Sequence, residues 1–386
     1  MEYLVNKKVK EIEISGIRRF FNMVADTPDM ISLTIGQPDF PTPLHIKEAA
    51  KLAIDNNITT YTHNAGVFSL RKAATDFYQT KYQLVYNPES EVIITSGASE
   101  AIDVAFRTIL EEGAEVILPG PVYPGYEPII HLCGATPIKV DIRENHFRFT
   151  ADQIKPHLTD KTRCIVLPYP SNPTGVSLSK EELAEIAELL VDRDIFIVAD
   201  EIYSELSFEK PHISIASFAK EKTIVINGLS KSHSMTGWRV GMLFAPENIA
   251  KHLLKVHQYN VTCASSISQM AALAALTIGI DDAIPMKQEY LNRRDYVYQR
   301  LVNMGLEVVK PDGGFYFFIK IPFPTINSFD FALKLVNEAK VAVVPGSAFS
   351  ELGEGYFRLS FAYSLATLEE GLDRLERHLM THNRQK

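Results

Sequence analysis

At 386 residues the chain exceeds one ordinary core, since domains average roughly 150 residues. With 46% apolar and 22% charged residues, its composition excludes a disordered or fibrous chain. Thirty-nine Lys and Arg against 47 Asp and Glu give a net charge of -8, which argues against nucleic-acid and membrane-surface partners.

The N-terminal segment MEYLVNKKVKEIEISG has neither an apolar signal core nor a small-residue cleavage site. No apolar run reaches the ~20 residues of a membrane helix. From about residue 44 to 280, strands and helices are expected to alternate. The strands are Glu91–Thr95, Glu115–Leu118, Thr136–Val140, Cys164–Leu167, Ile195–Ala199, Thr223–Ile226 and Val240–Phe244. Ser179 and Glu182 form a capping box ahead of an apolar-periodic helix to Leu190. Such alternation predicts an α/β fold, a mostly parallel sheet between helices, with ligands at the carboxyl ends of the strands. After about 282 the pattern changes to a long charged helix (Ala283–Met304), then a strand in Gly313–Ile321 and a helix near Phe329–Ala339. Strands Val341–Pro345 and Gly355–Ala362 and a last helix Ala366–Met380 follow, which together read as a smaller α+β domain. The expected division is an N-terminal arm shared with the small domain (1–43), a large domain (44–282) and a small C-terminal domain (283–386). Cys133, Cys164 and Cys263 form no C-x-x-C pair, as expected of reduced thiols in a cytoplasmic protein.

The chemistry concentrates at strand ends. GLSKSHSMTGWRVG (Gly228–Gly241) puts Lys231 in a Gly/Ser-rich turn after a strand, where an amine can form a Schiff base with a carbonyl group. Arg239, flanked by Gly237 and Gly241, can turn back to an anion beside that lysine. In IITSGASEAI, the amides of Ala98 and Ser99 would open a helix, a natural phosphate site. PSNPTG holds Asn172, readable as a ligand or as an Asx turn. ADEIYSEL ends a strand on Asp200 with Tyr203 one turn on, and that carboxylate is either a helix cap or the partner of a buried cation.

GLSKSHSMTGWRVG, preceded in order by SNPTG and ADEIY, closely resembles the fold type I pyridoxal-phosphate aminotransferases of class I/II, from SLTIGQPDF (Ser32–Phe40) to YFRLSFA. More narrowly it resembles the branch called aminotransferase A in bacilli, associated with N-acetyl-L,L-diaminopimelate, 2-oxoglutarate and lysine biosynthesis. The resemblance implies that Lys231 carries pyridoxal phosphate as a Schiff base and shuttles the substrate proton. It implies that Asp200 pairs with the ring nitrogen, that Asn172 and Tyr203 bond the ring hydroxyl, and that Tyr123 stacks on the ring. Arg239, Ala98, Ser99 and, less directly, Ser230 would hold the phosphate. Tyr61 would reach the phosphate in a neighbouring subunit, so a homodimer is implied. Arg358 would clamp the substrate α-carboxylate, with Asn172 and the Gly36 amide beside it. An L-amino acid donor and a 2-oxo acid acceptor are the implied partners.

Other motifs lead elsewhere or nowhere. Dinucleotide, P-loop and G-x-S-x-G signatures are absent. Ser177 and Lys180 spell S-x-x-K without its companions. His378 and His382 have metal-like spacing without the Glu of H-E-x-x-H and read as solvated, so no metal is expected. His233 is expected at the site mouth. Ile14, Phe21 and Tyr126 are the expected distal-pocket residues. Ser99 stands where some aspartate-specific relatives carry a lysine. The rivals are an aspartate or aromatic aminotransferase, a C–S lyase and an aminocyclopropane-carboxylate-synthase-like eliminase. A regulator with a winged-helix module is disfavoured because SLTIGQPDF begins about thirty residues in. A cofactor-free pseudoenzyme is disfavoured by the complete set Lys231, Asp200, Asn172 and Arg358.

Overall fold

Runs rich in β-branched residues and too short for helices become strands wherever both faces can be covered. In the computed structural model, which describes residues 1–24 and 27–383, the strands are β1 (Ile31–Ser32), β2 (Val92–Thr95), β3 (Glu115–Gly120), β4 (Thr136–Asp141), β5 (Thr162–Leu167), β6 (Phe196–Asp200), β7 (Thr223–Gly228), β8 (Gly241–Phe244), β9 (Tyr316–Lys320), β10 (Val341–Ala342), β11 (Val344–Pro345) and β12 (Tyr356–Ser360). All seven strands expected between 91 and 244 are present. They form one sheet in the order β2-β8-β7-β6-β5-β3-β4, with β8 antiparallel to both neighbours and every other pair parallel.

Period-two alternation sends the side chains of this sheet into two cores. Ile94, Ile117, Ile165, Ile197 and Val225 pack with Leu70, Ala74 and Phe77 of the helix Phe68–Tyr82 on one face. Ile93, Val116, Val166, Val198 and Ile224 pack with Ala101, Ile102 and Ala105 of the helix Ala98–Ile109 on the other. Each fully buried aliphatic side chain contributes roughly 1.5–3 kcal/mol, so the sheet is the rigid frame of the molecule. The capping box expected at Ser179 is present, with Glu182 donating its amide to the Ser179 hydroxyl and the Ser179 amide bonding the Glu182 carboxylate.

A third core joins both ends of the chain. Phe20, Val24 and Leu33 pack there with Tyr290, Val297, Phe317, Phe357 and Leu372. The long helix, Ala283–Asn303, buries Met286, Tyr290, Val297 and Leu301 along one stripe. The expected strand over Val341–Pro345 is instead two, which serve different sheets. β10 runs parallel to β1, while β11 lies antiparallel to β12, which in turn pairs with β9. The expected helix near Phe329–Ala339 starts at Ser328 under an Asn327 cap. It loosens into a π turn over Leu335–Ala339 and ends at Lys340, in the left-handed region at φ 55°. Among the described residues, no helix is long and apolar enough to cross a membrane.

Candidate active site

The strand order brings the singled-out motifs to one edge. β2, β3, β5, β6 and β7 all finish at that edge, and β8, running the other way, begins there. The turns after β2, β5, β6 and β7 and the segment before β8 therefore converge, although they are up to 140 residues apart in sequence (Gly97 to Gly237). Over them lies a cavity of about 650 Å³.

Gly36, Ala98, Ser99, Tyr123, Asn172 and Asp200 line this cavity, as do Tyr203, Ser230, Lys231, Arg239 and Arg358. Of the residues expected to hold cofactor or substrate, Tyr61 lies elsewhere, 84% exposed on the surface.

The Lys231 amine donates to the Gly36 carbonyl and sits 5.8 and 5.7 Å from the Tyr203 and Phe315 ring centres. Burial, then the charges of Arg358 and Arg239, pull its pKa down to about 8. A substantial neutral fraction near neutral pH is what a nucleophilic amine needs. Asp200 is buried at the end of β6, and burial holds its carboxyl above the usual range. It accepts hydrogen bonds from the Tyr126 hydroxyl at 2.6 Å and the Ile202 amide at 3.2 Å. A buried carboxylate so placed favours a cation brought against it.

Opposite, the backbone is interlocked. Gly97 has φ +85°, and a Cβ there would lie 2.4 Å from Arg239 Nη2. A Cβ on Gly241 would lie 2.5 Å from the Gly97 carbonyl carbon and 2.7 Å from the Ala98 amide nitrogen. Only glycine at both positions lets the Arg239 guanidinium reach the N-terminus of the helix Ala98–Ile109. The same guanidinium donates to the Thr236 carbonyl at 3.1 Å, which turns it along the helix start. A cation beside free helix N–H groups is an anion cradle suited to phosphate.

Arg358, on β12, is 2% exposed. It donates to Asn172 Oδ1 and to the Thr34 carbonyl, both at 2.8 Å, and its guanidinium carbon lies 4.1 and 5.0 Å from the ring centres of Tyr316 and Phe349. Its Nε has no partner despite full burial. A buried donor left open this way costs free energy until an acceptor arrives, and a carboxylate is the natural one. Asn172 is thus a partner of Arg358 in the cavity wall, which decides against a bare Asx turn.

Several expectations need correction. His233 does not line the site mouth. It is 2% exposed, with its ring nitrogens bonded to the Ser232 hydroxyl and the Gly279 carbonyl. Ile14 and Phe21 are exposed and do not line the cavity; Ile17 and Arg18 of the helix Gly16–Val24 do. Tyr126 lines it, but its hydroxyl is committed to Asp200. His378 is not solvated: it is 7% exposed and 3.5 Å from the Glu338 carboxylate. The His382 side chain lies outside the described residues. Among the described residues, no three His, Cys, Asp or Glu side chains converge as metal ligands.

Two contributors went unread in the sequence. Tyr316 shares a 3.0 Å hydrogen bond with the Tyr203 hydroxyl and covers Arg358. Asn227 at the end of β7 donates to Tyr78 and Ser204 at 2.7 and 3.1 Å and accepts from the Gly228 amide at 2.7 Å, fixing the entry to the Lys231 turn. The Asn that closes TIVIN was the available signal.

With this geometry in place, comparison with known proteins is specific. The family model described as aminotransferase class I and II matches residues 28–375. A probable N-acetyl-LL-diaminopimelate aminotransferase of Bacillus subtilis is 63% identical over 376 residues, covering 97% of this chain and 96% of the relative. An aspartate aminotransferase of Pyrococcus abyssi is 40% identical, over 95% of each chain. Among solved structures, an aromatic aminotransferase from Pyrococcus horikoshii superposes with a TM-score of 0.89 at 39% identity, over 95% of this chain and 99% of the other.

Proposed function

The chain belongs to the aminotransferase class I and II family and is a pyridoxal-phosphate-dependent transaminase, and from that premise we propose that it moves an amino group from N-acetyl-L,L-2,6-diaminopimelate to 2-oxoglutarate. The observation that carries the reading is the meeting, in one cavity, of a Lys231 amine with lowered pKa, a buried Asp200, the Arg239 cradle and Arg358 with its open Nε. The donor set fits the cofactor: an anion cradle for a phosphate, a buried carboxylate for a cationic ring nitrogen and a nucleophilic amine between them.

When bound, pyridoxal phosphate supplies an electron sink for charge developing at the substrate Cα. Arg239 and the Ala98 and Ser99 amides would hold its phosphate, with Ser230 beside them, and Tyr123 would cover the ring. Asp200 would keep the proton on the ring nitrogen, its charge stabilised by the Tyr126 hydroxyl. Asn172 and Tyr203 would donate to the ring hydroxyl. Arg358 would grip the α-carboxylate, with the Gly36 amide close by, and so orient the Cα–H bond toward Lys231. Lys231 Nζ would then take the Cα proton and return it on the far side of the transfer.

The two chain ends sharing a core supports a small domain made of 1–43 and 283–386 set against a large domain, 44–282. Tyr61, exposed at 84%, supports a homodimer in which it completes the neighbouring site. Three free cysteines support a reducing, cytoplasmic setting, in keeping with a place in lysine biosynthesis.

The test is a donor screen with 2-oxoglutarate as acceptor. N-acetyl-L,L-diaminopimelate is expected to outperform aspartate and the aromatic amino acids. Strong activity on aromatic donors with none on the acetylated donor would overturn the substrate and leave the aspartate or aromatic reading, which the names of the other relatives support.

A further inference from the structure

One buried pair of titratable groups stands beside the phosphate cradle with no part in the proton transfers. Glu100 is the third residue of the helix Ala98–Ile109, next to the Ser99 amide. Its carboxylate folds back over the helix start, where Oε2 accepts the Ser96 amide. Oε1 lies 2.9 Å from Nδ1 of His257, which comes from the helix Glu247–Val261. The other ring nitrogen, Nε2, lies 2.9 Å from the Asn64 carbonyl oxygen. The imidazole is fully buried, and the Glu100 side chain is only 9% exposed.

Geometry fixes the charge of this pair. A carbonyl oxygen only accepts, so Nε2 carries a proton and donates it to Asn64. A carboxylate oxygen and an imidazole nitrogen at hydrogen-bond distance hold one further proton between them. Whichever atom carries that proton, the pair bears no net charge. Without it, Glu100 would place a full negative charge over the first turn of the helix, in a site shielded from water. Such a charge takes up the N-terminal potential that a phosphate uses, and it repels the phosphate. Among the described residues, no other cation pairs with Glu100. Asp103, the next carboxylate along the helix, lies beyond the first turn and is held by Arg107 at 2.8 Å and the Asn260 amide at 3.1 Å.

We propose that His257 is a positioning residue of the phosphate site, one that neutralises Glu100 and so reserves the helix N-terminus for the cofactor's phosphate. Glu100 in turn ties down the Ser96 amide and steadies the turn that presents Ala98 and Ser99. This rests on the reading in which Arg239 and that helix start receive the phosphate.

The test is a fluorescence titration of the full chain, freed of cofactor, with pyridoxal phosphate and with pyridoxal, which has the same ring and no phosphate. His257→Asn keeps an amide donor toward Glu100 but supplies no proton to neutralise it. Its affinity for pyridoxal phosphate is expected to fall about 10- to 100-fold, while its affinity for pyridoxal holds. Glu100→Gln alone should stay within about 3-fold of the wild type, because the pair remains neutral. Glu100→Gln combined with His257→Asn should recover most of the loss, a rescue that a packing role would not give. His257→Gln makes the same comparison should the asparagine variant not fold. Equal losses for pyridoxal phosphate and pyridoxal, or a double variant no better than His257→Asn, would overturn the proposal and leave His257 a packing residue. A wild-type chain that binds pyridoxal phosphate no better than pyridoxal would overturn the cradle reading, and the proposal with it.

Discussion

The sheet edge and the N-terminal helix close the same cavity from opposite sides on different terms. At the sheet edge, Arg239 lies against Gly97 and the Ala98 amide against Gly241, so tightly that neither glycine has room for one more carbon. Asp200 closes β6 and Lys231 follows β7 in a one-turn helix, Leu229–Ser232, and both strands are buried. The N-terminal wall is one nine-residue helix, and its cavity-facing Arg18 is exposed with no protein partner among the described residues. The groups at the sheet edge are over-determined by the core, whereas the N-terminal wall rests on one helix. Changes at the edge should therefore remove the reaction, and changes at the helix should leave the chemistry standing.

The largest effect is expected from Lys231→Ala. Turnover should fall at least about 10³-fold, and the Schiff-base absorbance of the holoenzyme should vanish with it. Normal turnover would remove Lys231 from the chemistry. Gly97→Val comes next, because it sets a β-branched residue at φ +85° and drives a methyl into Arg239. Cofactor affinity, followed by fluorescence titration, should drop about 100-fold, since both the cation and the helix N-terminus are displaced.

Arg358→Met should raise KM about 100-fold for every amino acid alike. It should also alter Lys231, since a nearby cation disfavours the ammonium form. With Arg358 gone, the midpoint for amine labelling in the cofactor-free protein should move up from about 8 toward the 10.5 of an ordinary lysine. A midpoint that stayed put would assign the lowered pKa to burial and Arg239. The smallest change is expected for Tyr126→Phe, which deletes one hydrogen bond to Asp200 and lets its carboxyl rise further. Turnover should fall about 3- to 10-fold with the fold intact.

The same contrast explains what was legible in the sequence. Strand-then-turn punctuation exposes Lys231, Asp200, Asn172 and the Ala98–Ser99 helix start, because a polar residue just past a buried strand has few other uses. Arg358 was legible only through resemblance, since an arginine in a short β run reads equally well as an edge-strand surface charge. Tyr316 sits in FYFFIK, between buried phenylalanines, where an aromatic with a working hydroxyl looks like core. Arg18 is half of an Arg-Arg pair, and which of the two faces the cavity depends on how Gly16 and Phe20 dock against segments more than 300 residues away. His233 was misplaced for a related reason: its Gly279 partner comes from a turn that local pattern does not tie to the lysine loop. The split of Val341–Pro345 between two sheets likewise depends on β1, contributed by the opposite end of the chain.

The central claim is that this cavity transfers an amino group from donor to acceptor without releasing it. The direct measurement is to incubate the holoenzyme with a nitrogen-labelled amino donor and unlabelled 2-oxoglutarate and to follow where the label goes. The expected result is labelled glutamate in one-to-one amount with the oxo acid formed from the donor. Labelled ammonium with no glutamate would contradict it and assign the same residues to an eliminating enzyme.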